Sequence, residues 1–251
     1  MRRALASTCV CGTACESMWC CHPSPPAGPH LGSGAARRLL DARRTSGRGD
    51  ARCARCAATA EAVRERWNLL ITGAGGSGKT TLLGALLGAA PSSERIVTIE
   101  DVGELRPAHP HVVSLESRQP NLEGAGAVGL DRLVREALRM RPDRLVLGEC
   151  RGIELRELLS ALNTGHDGGA GTLHANSLED VPARLEALGV LAGWGPEAIA
   201  RQTVSAIDLV LHLERRGGRR RLAASGIFAL DSAGRLRVEE SALPPRSRSK
   251  R

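Results

Sequence analysis

The chain has 251 residues with no Tyr, one Phe (Phe228) and three Trp, so its core must be built from Leu, Val, Ile and Ala, which suits buried parallel strands. Its net charge of +8 sits at the ends: residues 1–60 carry nine Lys and Arg against three Asp and Glu, whereas residues 61–214 carry 15 against 21. Seven of the eight cysteines fall in the first 56 residues, which excludes a disulfide framework spread through the fold; no run approaches the ~18 apolar residues of a membrane span, and none near the N-terminus fits a secretory signal, so a cytosolic compartment is expected.

Residues 1–57 show neither helical nor strand periodicity. Pro23, Pro25, Pro26 and Pro29 crowd one stretch, and Gly32, Gly34, Gly47 and Gly49 another, a composition too poor in patterned apolar residues to offset its ordering entropy. Cys53 and Cys56, with Cys20, Cys21 and His22, imitate zinc-ligand spacing, but no second regular pair completes a zinc site. Near Ala57 the texture changes to regular apolar patterning, so residues 58–243 are expected to form one domain, followed by a disordered basic tail over 244–251.

Asn68–Thr72 reads as a short buried strand, followed by a glycine-rich loop and a helix carrying Leu82, Leu83, Leu86 and Leu87. Arg95–Ile99 and His111–Leu115 read as the second and third strands. Leu130, Leu133, Val134, Ala137 and Leu138 fall on one face of a helix that Pro142 ends. Arg144–Gly148 is a fourth strand, Ile153–Leu162 a helix, and Ile207–Leu213 a late strand. This alternation predicts a three-layer α/β domain with a mainly parallel sheet flanked by helices. Arg215, Arg216, Arg219, Arg220 and Arg221, like the basic tail, read as solvated charge, and no specific nucleic-acid partner is expected.

The chemistry centres on Gly73, Ala74, Gly75, Gly76, Ser77, Gly78, Lys79 and Thr80, which fit G-x-x-x-x-G-K-[ST] at every fixed position, with Thr81 following. Glycines let successive N–H groups face phosphate oxygens, and the helix beginning near Lys79 adds its positive end. Lys79 is expected on the β- and γ-phosphates of ATP, and the Thr80 hydroxyl on magnesium. Glu100 and Asp101, with Glu104, stand at the end of the second strand, where α/β sheets hold their ligands. Glu100 is a candidate magnesium ligand, partly through water. The fourth strand leads to Glu149, although Gly148 stands where the commoner second nucleotide motif has Asp. Glu149 is the first choice for water activation and Glu100 the alternative. His166 and His174 bracket a glycine-rich stretch, and His174 is a candidate to contact phosphate. Arg118, Arg139, Arg141, Arg144 and Arg151 cluster in sequence around these motifs, with Arg118 and Arg141 taken as the catalytic candidates.

Taken together, Thr98–Leu105, Ser117–Gly124, Leu138–Asp143, Gly148–Gly152, Asn163–Gly168 and Thr172–Asn176 resemble, in order and spacing, the type II/type IV secretion ATPases, on the CpaF-like branch of tight-adherence pilus and conjugal-transfer systems. The resemblance covers about residues 66–215. It implies a RecA-like P-loop ATPase domain, binding ATP and Mg2+, that works in a hexameric ring against a membrane platform protein at the inner face of the cell membrane. By position, Glu100 and Glu104 fall in the family's acidic box, Glu149 in its Walker B motif, and His166 and His174 in its histidine box.

Family members carry a folded domain ahead of the phosphate loop, which residues 1–57 do not resemble; a mis-called start, a frameshift or a decayed remnant is expected there. Two further readings follow. One is an ATP-binding but non-catalytic remnant. The other is a nucleic-acid-stimulated P-loop ATPase acting through its basic ends.

Overall fold

The computed structural model describes residues 51–241, with backbone alone for 51–57. The cysteine-rich stretch and the basic tail over 244–251 therefore lie outside the described side chains. Helix α1 (Ala51–Arg64) begins before the change of texture at Ala57 and leads into the sheet.

Eight strands form one sheet in the order β3-β2-β4-β5-β1-β6-β7-β8. Strands β1 (Leu69–Gly73), β2 (Ile96–Glu100), β3 (Val112–Glu116), β4 (Arg144–Leu147), β5 (Ala170–Leu173) and β6 (Leu209–Arg216) run parallel; β7 (Arg219–Leu230) and β8 (Leu236–Glu240) add an antiparallel edge. The late strand starts at Leu209, two residues later than the sequence suggests, because the backbone amides of Asp208 and Leu209 are spent on the Asn68 carbonyl.

Both faces of the central strands are apolar, as parallel strands covered on two sides must be. Leu69 and Ile71 pack on one side with α1 and α2 (Lys79–Leu87), while Leu70, Val97 and Leu145 pack on the other. That second side is covered by α3 (Leu130–Arg139), α4 (Glu154–Asn163), α5 (Val181–Leu191) and α6 (Pro196–Ala206). Edge strand β3 is only half-buried. Among the described residues, no helix is long and apolar enough to cross a membrane.

Two polar knots tie the amino ends of the strands. Asn68, 1 % exposed, donates from Nδ2 to the Ala206 carbonyl at 2.7 Å and accepts on Oδ1 from the amides of Gly168 and Gly169 at 2.8 and 3.1 Å. Its own N–H donates to Asp208 Oδ2 at 2.8 Å. Arg144 is equally buried: its guanidinium meets Glu94 at 2.5 Å, the Val63 carbonyl at 2.7 Å and the Gly168 carbonyl at 3.2 Å. Such a group is stable in the interior only because its charge and donors are matched.

Candidate nucleotide site

Parallel strands present their carboxyl ends along one rim, and the loops leaving those ends build the site. The loop from β1 to α2 exposes Ala74, Gly75 and Gly76 and buries Ser77 and Lys79. Gly78 adopts φ 97° as the cap residue of α2, a left-handed conformation that favours glycine. Among the described residues, the N–H groups of Gly75, Gly76 and Gly78 have no acceptor, and the buried Ser77 Oγ has no hydrogen-bond partner. Open amides converging at a helix start fit an anionic phosphate group. Lys79 Nζ folds back on its own loop, donating to the carbonyls of Gly73 at 2.9 Å and Ala74 at 3.2 Å. Burial lowers its pKa, opposed by the nearby Glu149 carboxylate. An ammonium resting on its own loop's carbonyls, beside open amides, is positioned to turn toward phosphate oxygens.

One further side chain meets Lys79 directly, and Glu149 and Arg151 act on it through their charges. His174, just past β5, places Nε2 3.4 Å from Lys79 Nζ and 3.1 Å from Glu149 Oε1. Burial, then the Lys79 charge, lowers the His174 pKa, so the ring is neutral at pH 7. One nitrogen therefore faces a donor and an acceptor and can serve only one at a time. The second Glu149 oxygen accepts from Arg151 at 2.5 Å, and Arg151 also lies 3.6 Å from Asp101. Hydrogen bonding to Glu149 raises the Arg151 pKa. Cys150, buried beside them, has its thiol pushed up by desolvation and is no nucleophile.

Glu100 takes a different position. Its carboxylate accepts from the amides of Glu104 at 3.2 Å and Leu105 at 3.1 Å, and burial raises its pKa despite those bonds. The carboxylate that reaches Thr80 is that of Glu104, whose Oε2 is 3.5 Å from Thr80 Oγ1. Thr80 and Glu104 thus form an oxygen pair suited to a hard divalent cation. The same geometry accounts for Gly148: a Cβ there would stand 2.5 Å from Glu100 Cγ, so the Glu100 side chain fills the space that an Asp at 148 would occupy.

The remaining candidates separate. His166 precedes β5 and lies at its amino end, so the strand puts the two histidines on opposite rims. Arg141 precedes β4, also on the far rim, with φ 51°. Arg118 follows β3 on the site's rim, where its backbone bridges Val128 and its guanidinium lies against Gly126. Arg139 pairs with Glu136 on α3, and Arg144 is locked in the core. The sequence reading missed Arg220, whose Nε donates to the Gly76 carbonyl at 3.1 Å; it stood in an arginine run that reads as solvated charge.

The family model described as type II/IV secretion system protein matches residues 47–225. A putative conjugal transfer protein of Mycobacterium tuberculosis is 55% identical over 176 residues, covering 70% of this chain and 50% of that protein. The VirB11 ATPase of the Brucella suis type IV secretion system, solved with sulphate, aligns with a TM-score of 0.59 and 28% identity over 75% of this chain and 54% of that one. The pilus retraction motor PilT, solved with ADP, aligns with a TM-score of 0.50 and 28% identity over 64% of this chain and 46% of that one. The chain spans about half the length of the curated relatives it matches. The mostly parallel α/β fold expected from the sequence is the one these structures share.

Proposed function

The chain belongs to the type II/IV secretion system protein family, and from that premise we propose that residues 58–243 act as an ATP-hydrolysing motor domain of a secretion, conjugal-transfer or pilus-assembly machine. The observation that carries this reading is the convergence of Lys79, His174 and Glu149 on one open phosphate loop.

Bound ATP with Mg2+ would supply the transferable phosphoryl group and the charge that the metal neutralises. Gly73 to Thr80, with Thr81, hold the phosphates through backbone amides, and Lys79 leaves its loop carbonyls to join them. That departure frees His174 Nε2 from its cationic neighbour, so the ring can hydrogen-bond Glu149 or the terminal phosphate. Glu149, held on its other oxygen by Arg151, is the base that takes a proton from water. Thr80 and Glu104 would hold the metal, a role their 3.5 Å contact supports, while Glu100 braces the segment that carries Glu104.

The reading extends to assembly. Val102, Leu122 and Ile153 are exposed apolar residues, each on a loop leaving the carboxyl end of a strand, so the rim that holds the site also offers a contact surface. A homo-oligomeric ring, hexameric by resemblance, would cover the site there and bring Arg118 or Arg141 of a neighbour toward it. Such a ring would work against a membrane platform at the cytoplasmic face of the inner membrane.

ATP hydrolysis by the full chain, with and without Lys79→Ala, tests the proposal. Turnover abolished by that change is the expected result. Nucleotide binding with no turnover, even at concentrations that allow oligomers to form, would instead establish the ATP-binding remnant.

A further inference from the structure

Strands β6 and β7 extend beyond the end of β1 as a hairpin closed by Gly217 and Gly218, both at positive φ. Past the register shift at His212 and Leu213, its cross-strand pairs are Glu214 with Arg221, Arg215 with Arg220, and Arg216 with Arg219. Side chains alternate between the two faces of a hairpin, so Arg215 and Arg220 share one face, and the other two pairs share the opposite one.

The first of those faces meets the phosphate loop. Arg220 Nε donates to the Gly76 carbonyl at 3.1 Å, and its Cδ lies 2.9 Å from where a Cβ of Gly78 would stand. Arg215 Nη1 lies 4.0 Å from the corresponding point on Gly76. On the opposite face Arg221 pairs with Glu214 at 2.9 Å. Among the described residues, neither Arg215 nor Arg220 has a carboxylate partner. Like charges directly across a ladder repel, and of the two arginine pairs on this hairpin it is Arg215 with Arg220 that faces the loop. These two are aimed at a loop whose open amides suit an anion.

We propose that Arg215 and Arg220 form a cationic clamp, supplied by the same chain, on the polyphosphate of a nucleoside triphosphate held in the Gly73–Thr80 loop. The inference rests on the nucleotide reading above and adds residues to the site. Arg220 Nε keeps the loop carbonyl, leaving both terminal nitrogens of its guanidinium for phosphate oxygens, and Arg215 adds a second fork. Glycine at 76 and 78 leaves room for these side chains to lie along the loop.

The test is equilibrium binding of fluorescent ATP, ADP and AMP analogues, with magnesium, to the full chain and its variants, with melting temperatures as the check on folding. Arg220→Ala and Arg215→Ala should each weaken ATP about tenfold, the loss expected for one charged hydrogen-bonding partner. The loss should shrink from ATP to ADP to AMP, and Arg220→Lys should recover part of it. The double change Arg216→Ala with Arg219→Ala, on the opposite face, should bind as the unaltered chain does. An equal loss for all three nucleotides overturns the clamp and makes Arg220 only a brace for the loop. Equal weakening by the opposite-face pair also overturns it, as bulk charge. So does unchanged nucleotide binding in all variants accompanied by lost binding to phosphatidylglycerol vesicles. An unaltered chain that binds no nucleotide overturns the nucleotide reading and the clamp together; binding that is normal yet indifferent to Arg215 and Arg220 overturns the clamp alone.

Discussion

At the scale of single residues, the site is a competition for one imidazole nitrogen. His174 Nε2 stands between Lys79 and Glu149 at 3.4 and 3.1 Å, and its lowered pKa keeps the ring uncharged at neutral pH. Glu149→Gln removes the proposed base while preserving shape, and should leave ATP affinity within about threefold. It should lower kcat by at least about a hundredfold, the usual contribution of a positioned base. Steady-state kinetics beside equilibrium binding checks this, and a rise in KM with kcat intact would refute the assignment. The phosphate loop and Glu149 were legible in the sequence because their spacing is local. The division between Glu100 and Glu104 was not, since it depends on which carboxylate the returning amides of residues 104 and 105 capture. The glycine at 148 was equally opaque until Glu100 was seen to fill its space.

At the scale of elements, the strands with continuous aliphatic runs were readable, and those at the edge were not. β7 opens with three arginines and is half-solvated along its first six residues, so neither a buried run nor an alternating pattern marks it as a strand. That hidden strand carries Arg220 to the loop. The ties at the amino ends were hidden too, because Asn68 and Arg144 read as ordinary first residues of strands. Asn68 joins β1 to the starts of β5 and β6 through six hydrogen bonds, three of them made by its side chain. Asn68→Ala strands two amides and a carbonyl in the interior and should cost about 3 kcal/mol. The measurement is urea unfolding with an unchanged slope, and a loss below about 1 kcal/mol would mean that water replaces the side chain.

At the scale of the whole molecule, one rim of the sheet holds the phosphate loop, Glu149, His174, the arginine hairpin and the exposed Val102, Leu122 and Ile153. If neighbouring copies complete the site there, turnover per chain should rise with protein concentration. The double change Leu122→Asp with Ile153→Asp should abolish that rise while shifting the melting temperature by no more than about 2 °C, as exposed substitutions do. Sedimentation with ATP, run beside the assay, reads assembly directly, and unchanged assembly in the variant would remove this rim as the contact surface. The opposite rim holds Asn68, the Arg144–Glu94 pair and His166. Separating the two kinds of machinery by the length of a strand has a genetic consequence. Inactivating alleles should fall into two populations, one accumulating normally but inert, the other degraded before its chemistry matters. The rim that carries the proposed site is thereby free to diversify without drawing on the stability reserve that the far rim maintains.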